Sequence, residues 1–167
     1  FFYTLWLKPN TTQNIVIGGA AGAMAPVIAW AAAAGTVAGP VPWILFGIIF
    51  LWTPPHFWAL ALYLKDDYRK VGLPMLPVIK GDEATLTQIW YYTLAVVAIS
   101  LSLLWWAPGI LYTVAAVYFG AMFINKSFIA RREQTEISER KLFGYSILYL
   151  FALFFSIIIE GLVIFVV

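Results

Sequence analysis

The residues best suited to chemistry lie between Trp52 and Lys70, in an otherwise apolar stretch. His56 is the single histidine and directly follows Pro54 and Pro55 in the run LWTPPHFWALALY. Each proline lacks a backbone N–H and removes a helical hydrogen bond, so we expect a helix to break here. Burying an imidazole in lipid is costly, which makes His56 a candidate catalytic residue. The alternative is a structural histidine, hydrogen-bonded to the carbonyls that the prolines free or to a neighbouring helix.

Helical spacing places other side chains beside this histidine. Residues three or four positions apart share a helical face, and the stripe through His56 comprises Trp52, Leu60, Tyr63 and Asp67. We predict that Trp52 and Tyr63 bind substrate beside the imidazole. Ordinary helix packing also produces aromatic stripes, but this one contains a histidine and ends at a carboxylate, which favours a site.

Asp66 and Asp67 form a second candidate site at the water edge of the same segment. Mg²⁺ prefers oxygen ligands and is held by one or two carboxylates plus substrate phosphates. We predict that both aspartates are catalytic metal ligands and that Arg69 and Lys70 bind phosphate charge. Lys8 joins them if its helix end lies alongside. The alternative is an ordinary solvated loop.

Composition excludes several classes of protein. Of the 167 residues 63% are hydrophobic and only 11% are charged, whereas soluble domains are roughly 45–50% apolar and about 25% charged. A water-soluble fold is therefore excluded. The net charge of +2 comes without a basic stripe, which argues against a nucleic-acid partner. Without cysteine there is no disulfide, thiolate metal site or covalent haem attachment.

Long apolar runs divide the chain into five membrane-crossing helices. Each is close to the roughly 20 residues that cross a bilayer core. The predicted spans are about Ile15–Ala34, Val41–Leu64, Gln88–Trp106, Ile110–Ile129 and Leu142–Phe165. The expected fold class is all-α, a polytopic transmembrane helix bundle forming a single domain over residues 1–167.

The segments outside and within these spans carry further expectations. Lys65–Thr85 is predicted to be a long polar loop, and Arg131–Lys141 a solvated, charged connection. Gly18 and Gly22 have the small-xxx-small spacing that lets another helix approach closely. Glu160, near the outer end of the last span, is interpreted as snorkelling or pairing with a helix rather than as catalytic.

The distribution of positive charge predicts the orientation. All ten lysine and arginine residues fall on one side of the five predicted spans, and positive charge collects on the cytoplasmic side. We expect an integral protein of the lipid bilayer, in a bacterial cytoplasmic (inner) membrane. Its active side is predicted to be cytoplasmic and its C-terminus outside. Because the sequence starts at Phe1 and Phe1–Leu7 has the character of a helix end, we expect it to be the C-terminal part of a longer protein.

Four motifs closely resemble one enzyme family. They are FLWTPPHFWALAL, DDYRKVGLPMLPV, YTLWLK and TxxNIVIGGAAGA. The sequence resembles the haem O synthases (protohaem IX farnesyltransferases) of the intramembrane aromatic prenyltransferase (UbiA-type) superfamily. The likeness is detailed from Tyr3 to about Glu83 and continues as a hydrophobic pattern to the end. The WTPPHFWALAL segment followed by PMLPV is its most specific part.

The resemblance implies a bundle of roughly nine helices around a central cavity. Farnesyl diphosphate would bind there with Mg²⁺ as cofactor. A vinyl group of haem B, a substrate rather than a cofactor, would attack the allylic cation, and water would add to give haem O. This places the protein in haem A and cytochrome oxidase biogenesis, with haem A synthase as a candidate partner.

Individual residues carry over only where the motifs match. Asp66 and Asp67 correspond to the second acidic motif, although the commoner D-x-x-x-D pattern is not met here. Tyr3, Lys8 and Asn14 lie in the matching N-terminal motifs and are predicted to bind substrate. The family's first acidic motif belongs to earlier helices that this sequence lacks, so these 167 residues alone are expected to be inactive.

Two other functions stay open at this point. One is a prenyltransferase acting on a quinone or chlorin precursor; the WTPPHFWALAL motif argues against it. The other is a non-catalytic transporter or assembly subunit that uses the proline break as a gate. The lack of a visible inverted repeat argues against that reading.

Overall fold

The structure, a computed structural model, describes residues 11–107 and 109–166. These residues form helices and no strand. The helices are α1 (Asn14–Ala23), α2 (Ala25–Ala34), α3 (Val41–Tyr63), α4 (Lys65–Lys70), α5 (Leu76–Lys80), α6 (Asp82–Ser102), α7 (Ile110–Glu133) and α8 (Glu136–Val166). A single 3₁₀ turn, Leu103–Trp105, follows α6.

Five helical segments are long and apolar enough to cross a membrane, as predicted. The first is α1 and α2 together, which meet at Met24. Pro26 lies in the first turn of α2, where its missing N–H interrupts the helix least. Gly35 ends α2 in the left-handed conformation (φ 68°) and donates its N–H to Ala31 O at 2.9 Å. The all-α polytopic bundle is therefore confirmed.

α3 is the central helix of the bundle. It packs against α1, α2, α6 and α8, while α7 closes the bundle between α6 and α8. Large side chains with 1% exposure or less, including Trp58, Phe123 and Tyr149, fill the space between these helices. The outer faces carry exposed apolar residues, as expected of helices that face lipid.

The predicted break at the proline pair is wrong. α3 runs without interruption from Val41 to Tyr63, with Pro54 and Pro55 inside it and both buried. A proline removes only its own helical hydrogen bond, and packing against neighbouring helices can hold such a segment helical. Thr53 Oγ1 also donates to the carbonyl of Ile49 at 2.8 Å.

The predicted polar loop Lys65–Thr85 is also corrected. It contains α4 and α5 and then the first turn of α6, and its residues Met75, Leu76 and Pro77 are buried. Lys65 Nζ donates to both carboxylate oxygens of Asp82, at 2.7 and 2.6 Å. This ion pair ties the start of α4 to the start of α6, which hydropathy alone does not reveal.

The charged connection Arg131–Lys141 is mostly helical rather than a solvated loop. α7 continues to Glu133 and α8 begins at Glu136, so the link is two residues long. Thr135 Oγ1 accepts from the N–H of Ser138 at 3.3 Å, and Ser138 Oγ accepts from the N–H of Thr135 at 3.4 Å. Such reciprocal bonds cap a helix start and explain why α8 begins there.

The close approach of α1 to α3 occurs at Gly19 rather than at Gly22. A Cβ at Gly19 would lie 2.9 Å from Thr53 Cγ2, whereas a Cβ at Gly22 would meet no atom within 4 Å. Gly18, Gly19 and Gly22 all line a cavity between the two helices.

Replacing Gly19 by alanine is therefore expected to destabilise the protein by about 1–3 kcal/mol, the usual range for overpacking. The added methyl group must push α1 away from Thr53. Gly22→Ala is the matched control, since it adds the same methyl group to the same helix without a contact. The unfolding midpoint of each purified variant, followed by circular dichroism, tests this expectation. Equal midpoints for the two variants would contradict it.

Glu160 pairs with a helix end, in agreement with its interpretation from the sequence. Its Oε1 accepts from the backbone N–H of Leu111 at 2.5 Å and of Tyr112 at 3.2 Å. These N–H groups belong to the first turn of α7, which has no side-chain cap of its own. α8 thus supplies the carboxylate that caps α7.

We expect Glu160→Ala to lower the free energy of unfolding by about 1 kcal/mol, the typical effect of losing a helix cap. Glu160→Gln keeps an acceptor oxygen and should lose less. Thermal unfolding of the two variants in the same detergent provides the comparison. A Glu160→Ala midpoint equal to that of the unaltered protein would refute the capping role.

Candidate active site

His56 lies on the face of α3 that packs against α8. Its Nδ1 is 2.7 Å from the hydroxyl oxygen of Ser146, which is buried. Its ring stacks on Trp52 (centroids 4.3 Å apart) and on Phe143 (4.7 Å). The hydrogen-bonding partner is thus on a neighbouring helix. The ring is clamped between two aromatic faces and remains partly exposed.

Trp52 is fixed by the same residue of α8. Its Nε1–H donates to the backbone carbonyl of Ser146 at 2.7 Å. Trp52 also borders two cavities: one between α1 and α3, and an apolar one of about 320 Å³ between α3 and α8. The predicted neighbourhood of Trp52 and His56 is therefore present.

The larger cavity has a volume of about 500 Å³ and lies between α1, α3 and the segment after α3. One wall is the glycine-rich face of α1, whose missing side chains leave the space open. The opposite wall carries aromatic rings. The ring-bearing residues that line it are Trp52, Phe57 and Tyr68.

Asn14, predicted to bind substrate, lies at the start of α1, is 2% exposed and lines this cavity. Tyr3 and Lys8 lie outside the described residues. Tyr63 does not line the cavity. It packs edge-on against Phe143 at 6.0 Å and lies under the guanidinium of Arg140, at 5.2 Å from its Cζ. The structure thus places Asn14 and Tyr63 on different sides of α3.

Asp66 and Asp67 lie on α4 and are exposed. Asp66 Oδ1 pairs with Arg69 at 2.8 Å, and Asp67 Oδ1 pairs with Lys70 at 3.2 Å. Exposed pairs of this kind are worth at most about 1 kcal/mol, so a metal ion or a phosphate can displace them. Tyr68, the next residue in the sequence, lines the large cavity.

No group of three or more histidine, aspartate or glutamate side chains capable of holding a metal ion occurs in the described part of the chain. Asp66 and Asp67 therefore provide two carboxylates and no complete protein cage. Their hard oxygen atoms suit Mg²⁺ when phosphate oxygens and water complete its octahedron. The donor set fits a metal ion shared with a diphosphate.

Several functional neighbours were not predicted from the sequence. They are Thr53, Phe57 and Tyr68 at the cavity, and Phe143 and Ser146 beside the imidazole. Phe57 and Tyr68 lie in the motifs FLWTPPHFWALAL and DDYRKVGLPMLPV, which could have marked them as candidates. Ser146 lies 90 positions from His56, and no pattern in the sequence links them.

Five apolar helices around aromatic and glycine-lined cavities define an integral, multi-pass membrane protein. The profile of the UbiA prenyltransferase family matches residues 1–158, and the chain belongs to this family. No solved structure matches the chain significantly.

Curated relatives have a common name. The chain is 51% identical over 163 residues to a protoheme IX farnesyltransferase of Nostoc sp., covering 96% of this chain and 51% of that protein. It is also 51% identical over 165 residues to the protein of that name from Gloeobacter violaceus, covering 98% of this chain and 54% of that protein. The Microcystis aeruginosa relative is 51% identical over 163 residues. The chain spans about half the length of the curated relatives it matches.

Proposed function

We propose that the protein transfers the farnesyl group of farnesyl diphosphate to a vinyl group of haem B, giving haem O and diphosphate. One observation carries the proposal: 51% identity over 96% of the chain to a protein named for this reaction. The UbiA prenyltransferase family likewise favours prenyl transfer over the role of a transporter or assembly subunit. The alternative acceptor, a quinone or chlorin precursor, is distinguished from haem B by the expression experiment described below.

The cavity beside α3 suits an isoprenoid chain. Its volume of about 500 Å³ falls within the usual size range of ligand pockets, roughly 300–1,000 Å³. The smooth glycine face of α1 leaves room for the apolar chain. The rings of Trp52, Phe57 and Tyr68 line the opposite side, and aromatic faces stabilise a nearby cation. They would therefore stabilise the allylic cation that forms when diphosphate departs.

The diphosphate would lie at the water edge, by α4. Asp66 and Asp67 would hold Mg²⁺, and Arg69 and Lys70, released from their local pairs, would bind phosphate oxygens. Mg²⁺ bound there supplies charge neutralisation to the leaving group. Tyr3, Lys8 and Asn14 are the other proposed substrate-binding residues. Asn14 has support from its place in the cavity wall.

On the haem side, His56 and Tyr63 are the proposed contacts. Both stand on the face of α3 that packs on Phe143 of α8, away from the glycine-rich wall. An arrangement with the isoprenoid on one side of Trp52 and the acceptor on the other would let the two substrates meet at this residue.

The active side is proposed to be cytoplasmic, in a bacterial inner membrane, with the C-terminus outside. The α4–α5 segment and the α7–α8 junction carry basic residues, and Arg140 of α8 covers Tyr63 at the end of α3. These contacts place both basic regions at one end of the bundle, which supports the orientation. Haem A synthase, which would take haem O onward, is the proposed partner.

Expression of the whole protein in a bacterium whose own haem O synthesis has been deleted tests this function. Pigments extracted from the membranes should contain haem O, identified by its mass. Extracts with haem B alone, or with a prenylated quinone or chlorin precursor instead, would reject the assignment.

A further inference from the structure

Two oxygen atoms of Ser146 form hydrogen bonds with α3, each with a different side chain. Its backbone carbonyl accepts the indole N–H of Trp52 at 2.7 Å. Its hydroxyl oxygen contacts Nδ1 of His56 at the same distance. One buried residue of α8 thus holds two neighbouring rings of the candidate site.

The single hydroxyl hydrogen of Ser146 decides how the imidazole is protonated. The hydroxyl oxygen is also 2.6 Å from the carbonyl of Phe143, which can only accept. A serine hydroxyl has one hydrogen to donate and lone pairs to accept with. Donation to Phe143 O therefore requires that His56 Nδ1 carry a hydrogen and donate it to Ser146. If the hydroxyl hydrogen were donated to His56 Nδ1 instead, the oxygens of Ser146 and Phe143 would lie 2.6 Å apart with no hydrogen between them.

The other ring nitrogen then has no hydrogen. A neutral imidazole that is protonated at Nδ1 has a free lone pair at Nε2. None of the residues that the structure describes forms a hydrogen bond with Nε2, and the His56 side chain is partly exposed. Stacking on Trp52 and Phe143 restricts the ring from turning over.

We propose that Ser146 is a positioning residue that fixes His56 as the Nδ1–H tautomer, so that Nε2 accepts a proton during haem O formation. The proposal rests on the function proposed above and adds a role for each nitrogen.

The proton arises in the last step of the reaction. Diphosphate leaves with the electron pair of the allylic C–O bond, and the terminal vinyl carbon of haem bonds to the farnesyl carbon. This leaves a cation on the vinyl carbon next to the porphyrin ring. The oxygen of a water molecule bonds to that carbon, and the proton that this oxygen must lose passes to Nε2. The products are the hydroxyethylfarnesyl group, diphosphate and protonated His56, which releases its proton to water.

Ser146→Ala removes the acceptor of Nδ1–H but keeps the backbone carbonyl that binds Trp52. Both tautomers then become accessible, and we expect kcat for haem O formation to fall on the order of tenfold, part of the usual effect of a general base. KM for both substrates should stay nearly constant. Ser146→Thr keeps a hydroxyl and should restore most of the rate.

Ser156→Ala is the matched control. Ser156 lies on the same helix, is 3% exposed and donates to the carbonyl three residues before it, Leu153, at 2.7 Å. It has no imidazole partner among the described residues. Loss of the Ser156 hydroxyl should leave kcat and the tautomer of His56 unchanged.

The tautomer is read directly from ¹⁵N spectra of the whole protein, labelled with ¹⁵N-histidine, in lipid bilayers at neutral pH. The His56 signals are identified by their loss in His56→Gln. We expect a protonated Nδ1 and an unprotonated Nε2, mixed tautomers in Ser146→Ala, and recovery in Ser146→Thr. A protonated Nε2 in the unaltered protein overturns the proposal. So does a Ser146→Ala variant with mixed tautomers and undiminished kcat.

The spectra also separate this proposal from the proposed function. An unaltered protein with the Nδ1–H pattern but no haem O supports the hydrogen-bond assignment. The same result overturns both the proton-acceptor role and the proposed reaction.

Discussion

His56→Phe is expected to lower the rate of haem O formation by at least ~100-fold, the lower range for loss of a general acid or base. Phenylalanine keeps a flat ring between Trp52 and Phe143 but has neither of the ring nitrogens. The variant therefore separates the chemistry of the imidazole from its packing. The measurement is the initial rate of haem O formation by purified protein with saturating substrates.

His56→Gln supplies the converse control. Glutamine can still donate a hydrogen bond to Ser146 but cannot stack as a ring. It also lacks the imidazole lone pair, so we expect a similar loss. Circular dichroism and the unfolding midpoint show whether either variant has lost its fold. If a folded His56→Phe protein keeps more than about a third of the rate, its loss is far smaller than the ~100-fold loss expected for a general base. His56 would then be a structural residue.

The double variant Asp66→Asn, Asp67→Asn is expected to show the second large effect. Asparagine keeps the size of each side chain but removes the charge that Mg²⁺ needs. Since even the loss of an outer partner weakens metal binding 10–100-fold, the Mg²⁺ concentration for half-maximal rate should rise by at least this order. The measurement is a Mg²⁺ titration of haem O formation at fixed farnesyl diphosphate.

Glu133→Gln is the matched control for this variant. Glu133 is an exposed carboxylate at the end of α7, and it forms no ion pair within the described residues. It should leave the Mg²⁺ titration unchanged, so that a general effect of surface charge can be set aside. A double variant whose titration matches that of the unaltered protein would show that Asp66 and Asp67 are an ordinary solvated pair.

Hydropathy was enough to predict the membrane helices but not their ends. Apolar runs near the thickness of a bilayer left little freedom, and all five predicted spans appear. The ends differ because capping and ion pairs set them. Thr135 with Ser138 starts α8 before the apolar run begins, and Lys65 with Asp82 ties α4 to α6.

Local rules failed where neighbouring helices decide the outcome. Two consecutive prolines predict a break, yet α3 continues through Pro54 and Pro55 because buried packing supports it. Similarly, spacing selected Gly18 and Gly22, while the helix that crosses α1 places Thr53 against Gly19. Neither result follows from residues next to each other in the sequence.

The candidate site was predictable only along α3. Steps of three and four residues correctly grouped Trp52 with His56, whose rings stack. Ser146 and Phe143 could not be predicted, because α8 reaches the site from 90 positions away. The metal-binding role of Asp66 and Asp67 remains a prediction, since their carboxylates pair with the adjacent turn of α4.

Farnesyl transfer is tested most directly with the whole purified protein in lipid vesicles that contain haem B, farnesyl diphosphate and Mg²⁺. Mass analysis of the extracted pigment should show haem O, heavier than haem B by one farnesyl group and one hydroxyl group. The same reaction without farnesyl diphosphate should return only haem B. Recovery of unchanged haem B from the complete reaction, with protein that is folded and binds both substrates, would contradict the proposed farnesyl transfer.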